Sequence, residues 1–192
     1  MSIFLTPLKE EEREIKSSDL RKRSEVIIIK DDKIFVGIRK PDEYFIPGGG
    51  IEKGENAEDT AKREAREEIS INCKDLEKLD EIKINWPDIY GGESSLQKLD
   101  HKEWLEKNPS LGFITKTYIG YFSSFSEDES GPEDDKYKYK LIDPNEFIKQ
   151  LNDANKNIKE PERQWRIKEN NYIIKCLEKV KQIIEENNKS EE

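Results

Sequence analysis

Between Ser24 and Ile71 the chain sets four local signals end to end: a continuous β-branched run, an alternating strand, a triple glycine and a charged helix. Val26-Ile27-Ile28-Ile29 leaves no polar position for solvent, so this strand must be covered on both faces. Asp31-Asp32 supplies a turn, and Ile34, Val36 and Ile38 then alternate, which predicts a buried hairpin over Ser24–Ile38. A short strand ending at Tyr44-Phe45 runs into Gly48-Gly49-Gly50, read as a tight glycine turn where backbone can approach a ligand. Asn56 is placed to cap a helix reaching Ser70. Ala57, Thr60, Ala61, Ala65 and Ile69 form its stripe of mostly small residues, suited to close packing on a sheet.

Elsewhere the signals are sparser. Thr6-Pro7 opens a short charged helix to about Ile15. Glu77–Ile84 reads as a strand, as does Gly112–Phe125, with Phe113, Thr115, Thr117, Ile119 and Tyr121 on one parity. Lys136–Ile142 alternates as a half-exposed strand, Pro144–Leu151 as a helix, and Asn152–Glu160 as a polar linker. A last helix from about Pro161 to Asn187 carries Trp165, Tyr172, Ile173, Cys176, Leu177, Val180, Ile183 and Ile184 at helical spacing, for packing on the domain. Residues 85–111 are an irregular insertion containing Trp86, Tyr90, His101 and Trp104. The order is mixed α and β, which predicts an α/β/α sandwich: a mixed sheet covered by helices on both faces, with an added C-terminal helix.

A length of 192 residues suits one domain. A net charge of −9 and a pI near 5.0 disfavour polymeric nucleic acid, which needs a basic face. Two distant cysteines make no disulfide framework, and one histidine makes no histidine metal site. No apolar run approaches the ~20 residues of a membrane span. A cytoplasmic protein that does not engage membranes is expected.

Glu64, Glu67 and Glu68 stand at i, i+3 and i+4, which puts three carboxylates on one helical face. That face is either solvated or a hard-oxygen site for Mg²⁺ or Mn²⁺, which would relieve the repulsion. The wider spacing is more specific. Gly49, Glu55, Arg63, Glu64, Glu67, Glu68 and Ile71 fall where the Nudix box has its glycine, first glutamate, Arg-Glu pair, Glu-Glu pair and final aliphatic. The segment closely resembles that box, with Ala65 at an aliphatic position and Ser70 in place of the late glycine.

The resemblance implies a Nudix-type hydrolase, with a core over about 25–151, that cleaves a diphosphate linkage in a nucleoside diphosphate joined to another group. It implies Mg²⁺ or Mn²⁺ held by Glu64, Glu67, Glu68 and the Gly49 carbonyl, with the same glutamates catalytic. Glu55 and Arg63 would pair to hold the loop on the helix. Glu133, Asp134 and Asp135 are alternative bases, and Glu133 is also a substrate-binding candidate. Arg39 and Lys40 are candidates for phosphate, Tyr44 and Phe45 for a base, and the 85–111 insertion for a lid or homodimer contact. A small nucleotide is the expected partner. A catalytically silent nucleotide-binding module and an RNA 5′-end or cap hydrolase are the alternatives. The retained glutamates argue against the first and the charge against the second.

Overall fold

In the computed structural model, residues 20–41, 43–85, 112–126, 137–159 and 164–191 are described. The expected helix at Thr6–Ile15, the insertion's aromatics and His101, and the acidic loop with Glu133, Asp134 and Asp135 lie outside them. Among the described residues seven strands form one mixed sheet: β1 (Arg21–Lys30), β2 (Lys33–Lys40), β3 (Glu43–Phe45), β4 (Gly48–Gly50), β5 (Ile71–Asn85), β6 (Gly112–Phe125) and β7 (Lys138–Ile142). Helix α1 is Ala57–Ile69, α2 is Pro144–Asn157 and α3 is Gln164–Glu191. The strands follow the path β3-β2-β1-β6-β5, with β4 paired to β1 and β7 to β2. Only β1 and β6 run parallel among these pairs.

The β1–β2 hairpin forms as expected. Asp31 and Asp32 both take positive φ (48° and 61°), as a two-residue primed turn requires. The strands pair from Ile28–Lys30 to Phe35–Lys33. Beyond that point β2 pairs with β3 and β1 with β4, so residues 43–50 fill a fork in the hairpin. The continuous apolar run is explained by two covers. Ile27 and Ile29 join α2 and α3 in one core, with Phe147, Leu151, Tyr172, Cys176, Leu177 and Val180. Val26 and Ile28 face α1 in the other, with Phe35, Ala61, Ala65 and Ile69. The α/β/α layering is therefore observed.

Three boundaries differ from the sequence reading. The Gly48–Gly50 run is a strand, not a turn, and its extended backbone pairs with Arg23–Glu25. The strand expected at Glu77–Ile84 begins at Ile71, because pairing with β6 carries its polar first half, with register shifts that kink the edge. Helix α2 runs on to Asn157 through the supposed linker, and its Asn155 bonds Asn170 and Asn171 of α3.

Ala61 is fully buried beneath the sheet. Ala61→Leu is expected to overpack this contact and cost about 1–3 kcal/mol. An unchanged denaturation midpoint would refute that packing face.

Candidate active site

Helix α1 places the acidic groups, and its ends are fixed locally. The Asn56 side chain accepts from Asp59 N (2.9 Å), and Glu58 and Asp59 sit in the first turn, where the helix dipole favours negative charge. At the other end Ser70 caps the helix in the left-handed region (φ 54°, ψ 39°), donating its N–H to Arg66 O. The departure from glycine therefore falls at a position where glycine is free of strain. Ser70→Gly is expected to raise stability by about 1 kcal/mol, and equal unfolding midpoints for the two proteins would count against it.

Arg63 is the hub. Its Nε and Nη2 donate to Glu55 Oε1 (2.7 Å) and Oε2 (3.0 Å), and Nη2 also to Gly50 O (3.3 Å). Its Nη1 lies 2.9 Å from both Glu64 Oε1 and Glu67 Oε2. Glu55 also accepts from the Thr60 hydroxyl (2.8 Å). Arg63 beside it holds the Glu55 carboxyl down to about 2. The loop after β4 is thus clamped on the helix, as the resemblance implied.

The three glutamates differ in setting. Burial raises Glu64, partly offset by Arg63. Its carboxylate lies against the Gly49 backbone, where an added Cβ would collide with it. Glu67 is more open, its side chain 43% exposed. Glu68 accepts the Gly48 N–H (2.9 Å). Burial pushes its carboxyl up to about 7, reinforced by Glu64 and opposed by that N–H, Arg39 and Arg23. Glu64, Glu67, Glu68 and Gly49 are therefore neighbours. In this arrangement no three of the described side chains converge as a metal-binding group. The donor chemistry fits a hard divalent ion nonetheless: carboxylate oxygens, two of them already sharing one cationic nitrogen.

The other expected site residues divide. The Arg39 guanidinium lies over the Phe45 ring (4.5 Å), and its field reaches Glu68. Lys40 is exposed and pairs with Glu43 at 3.8 Å. Phe45 is 8% exposed, its ring against Gly37, Arg39 and Tyr137. Its faces are taken, so as placed it is core and not a stacking surface for a base. Tyr44 faces α2, donating its hydroxyl to Glu146 (2.8 Å) and packing on Phe147. The structure does not bring it to the glutamates.

Residues the sequence reading missed lie on the α3 face of β1. Glu25 is buried and accepts from Thr117 Oγ1 (2.6 Å), which in turn accepts from the Tyr172 hydroxyl (2.8 Å). Burial pushes Glu25 up to about 7. Arg23 pairs with Glu169 (3.4 Å) and lies over the Phe113 ring (5.3 Å). The one available signal was parity: position 25 continues the inward series of Ile27 and Ile29 with a charge.

A glycine strand, a helix bearing three carboxylates and an arginine clamp between them define a site suited to metal-assisted phosphate chemistry. The NUDIX domain profile matches residues 20–164, and the chain belongs to the Nudix family. It is 34% identical over 77 residues to "Putative nudix hydrolase 6" of Caenorhabditis elegans, a match covering 39% of this chain and 30% of that protein's length. Among solved structures, a NUDIX hydrolase from Nitrosomonas europaea is 15% identical (TM-score 0.47, covering 69% of this chain and 78% of that one). A MutT NUDIX hydrolase from Burkholderia pseudomallei is 18% identical (TM-score 0.43, covering 65% and 84%).

Proposed function

We propose that this chain hydrolyses a phosphoric anhydride bond in a nucleoside diphosphate linked to a second group, with Mg²⁺ or Mn²⁺ bound. The observation that carries the reading is the clustering of Glu64, Glu67 and Glu68 beside the glycine strand, with Arg63 fixing the first two. These glutamates and the Gly49 carbonyl would hold the ion. When bound, it neutralises phosphate charge and lowers the pKa of water.

The chain's own residues supply the rest. A water oxygen attacks one phosphorus, the bridging P–O bond breaks, and the displaced phosphate leaves with the electron pair. A carboxylate takes the water's proton, and Glu68, which accepts the Gly48 N–H, is the candidate for that role. Arg39, whose field reaches Glu68, would steady a phosphate oxygen. Among the described residues no helix is long and apolar enough to cross a membrane. Cys73 and Cys176 are free thiols, in keeping with a cytoplasmic setting.

The test is a screen of purified protein against a nucleotide panel with Mg²⁺ and phosphate detection. Turnover is expected to vanish in chelator and return with Mg²⁺ or Mn²⁺. Full turnover in chelator would end this mechanism. Nucleotide binding with no turnover under any metal would support a catalytically silent binding module.

A further inference from the structure

The α3 face of β1 changes character along its length. Ile29 and Ile27 lie in the apolar core, and then Glu25, Arg23 and Arg21 follow on the same parity. Opposite them, Gly48 and Gly50 pair with Glu25 and Arg23 and bring no side chains to this face. The Arg21 guanidinium lies over Gly50, its Nη2 2.9 Å from where a Cβ would stand. Among the described residues Arg21 has no ion pair. Arg23 is 30% exposed, mounted on Phe113 and held by Glu169 at a long 3.4 Å. Arg166 lies over Trp165 (5.4 Å), and its field also reaches Glu169. Thr115, the register partner of Arg23, keeps a buried hydroxyl without a hydrogen-bond partner among the described residues. In a chain of net charge −9, Arg23, Arg166 and Arg39 act on the Glu169 carboxylate, with the buried Glu25 a second carboxylate beside Arg23 and Arg21 next along the strand, on the side of the glycine strand away from Glu64.

We propose that Arg21 and Arg23 form an anion subsite on the α3 face of the glycine strand, holding a phosphate or carboxylate that the substrate carries beyond the bond cleaved. The inference rests on the diphosphate-hydrolase reading for its substrate, and on these side chains for its place. Strand β4 pairs with β1 along one edge only among the described strands, so a substrate lying across its other edge reaches both faces. Guanidinium forks bind phosphate and carboxylate through paired N–H groups. Glu169 then acts as a counter-charge that keeps Arg23 extended over Phe113 and is exchanged for the ligand's anion.

The test uses the whole chain freed of metal by chelator, titrated with inorganic phosphate and separately with acetate, and followed by amide NMR shifts. Without metal the α1 carboxylates repel phosphate, so hydrolysis plays no part in the readout. Phosphate is expected to shift the amides of Arg21–Arg23 and Gly48–Gly50 saturably, more weakly as salt is raised. Arg21→Ala and Arg23→Ala should each raise Kd at least about tenfold, while Lys22→Ala stays within about twofold. Glu169→Gln, which frees Arg23 from its counter-charge, should tighten phosphate binding, an effect a purely structural ion pair would not give. Saturation by acetate at the same amides would identify a carboxylate-accepting subsite, and phosphate alone a phosphate subsite. Either supports the proposal. No saturable shift at these amides, or an unchanged Kd in both arginine variants, overturns it. Phosphate binding here without turnover of any nucleotide would sink the hydrolase reading and leave the subsite standing, and the converse result would do the reverse.

Discussion

Glu68→Gln is expected to lower kcat by about 10²–10⁴, the usual worth of a general base or catalytic ligand. The amide keeps the shape and can still meet the Gly48 N–H, but it binds a hard cation poorly and takes no proton. Glu67→Gln should fall in the same range. Stability moves the other way in the metal-free protein. Burial raises the Glu68 carboxyl to about 7, so its ionisation opposes folding increasingly as pH rises from the ordinary carboxylate range through 7. The Gln variant should therefore be more stable by about 1–2 kcal/mol at pH 8 and indistinguishable near pH 4, allowing for partial solvent screening. Glu58→Gln is the control. It loses a helical ion pair with Lys62 (2.6 Å), costing no more than about 0.5 kcal/mol, and should leave turnover intact. Wild-type turnover in both the Glu67 and Glu68 variants would reduce the cluster to a solvated face.

The second large effect belongs to Arg63. Its side chain is 17% exposed and contacts Glu55, Glu64 and Glu67 together with the Gly50 carbonyl. Arg63→Gln leaves three carboxylates facing one another without a counter-charge, and should cost about 2–4 kcal/mol in chemical denaturation. Arg63→Lys should recover only part, since a point charge cannot serve Glu55 as a fork while reaching Glu64 and Glu67. Because the repulsion is what a cation relieves, added Mg²⁺ should stabilise the Gln variant more than the wild type. A loss below about 0.5 kcal/mol for Arg63→Gln would mean that the clamp is a surface ion pair.

The parts of this molecule legible in the sequence are those fixed by local chemistry. Asp31-Asp32 tolerates positive φ, Asn56 caps, and the alanine stripe of α1 has one face small enough to meet a sheet. The carboxylate spacing put Glu64, Glu67 and Glu68 on one helical face, and the resemblance to the Nudix box implied the Glu55–Arg63 clamp. What was not legible depends on pairing between distant segments. The glycine run looks like a turn until Arg23–Glu25 is known to lie beside it. The polar first half of β5 is a strand because β6 holds it. Tyr44 and Phe45 are adjacent in sequence, but alternation sends one toward α2 and the other under α1, so neighbouring aromatics could not share a base. Arg23 and Glu169 are 146 positions apart, and no local pattern joins them.

The glycine strand grades how far this site can be redesigned. At position 48 a methyl would meet the backbone of Ser24 and Glu25, which cannot move without unpairing β1, so alanine there should abolish folding of the fork. At position 49 the obstacle is the Glu64 carboxylate, so a methyl would spare the fold and misdirect one acidic side chain. At position 50 it is only the far end of Arg21, which can swing away. Three consecutive and chemically identical residues thus meet three different neighbours: paired backbone, a carboxylate and a guanidinium. Substitution scanning along them would separate losses of structure, of turnover and of selectivity within a span of three codons.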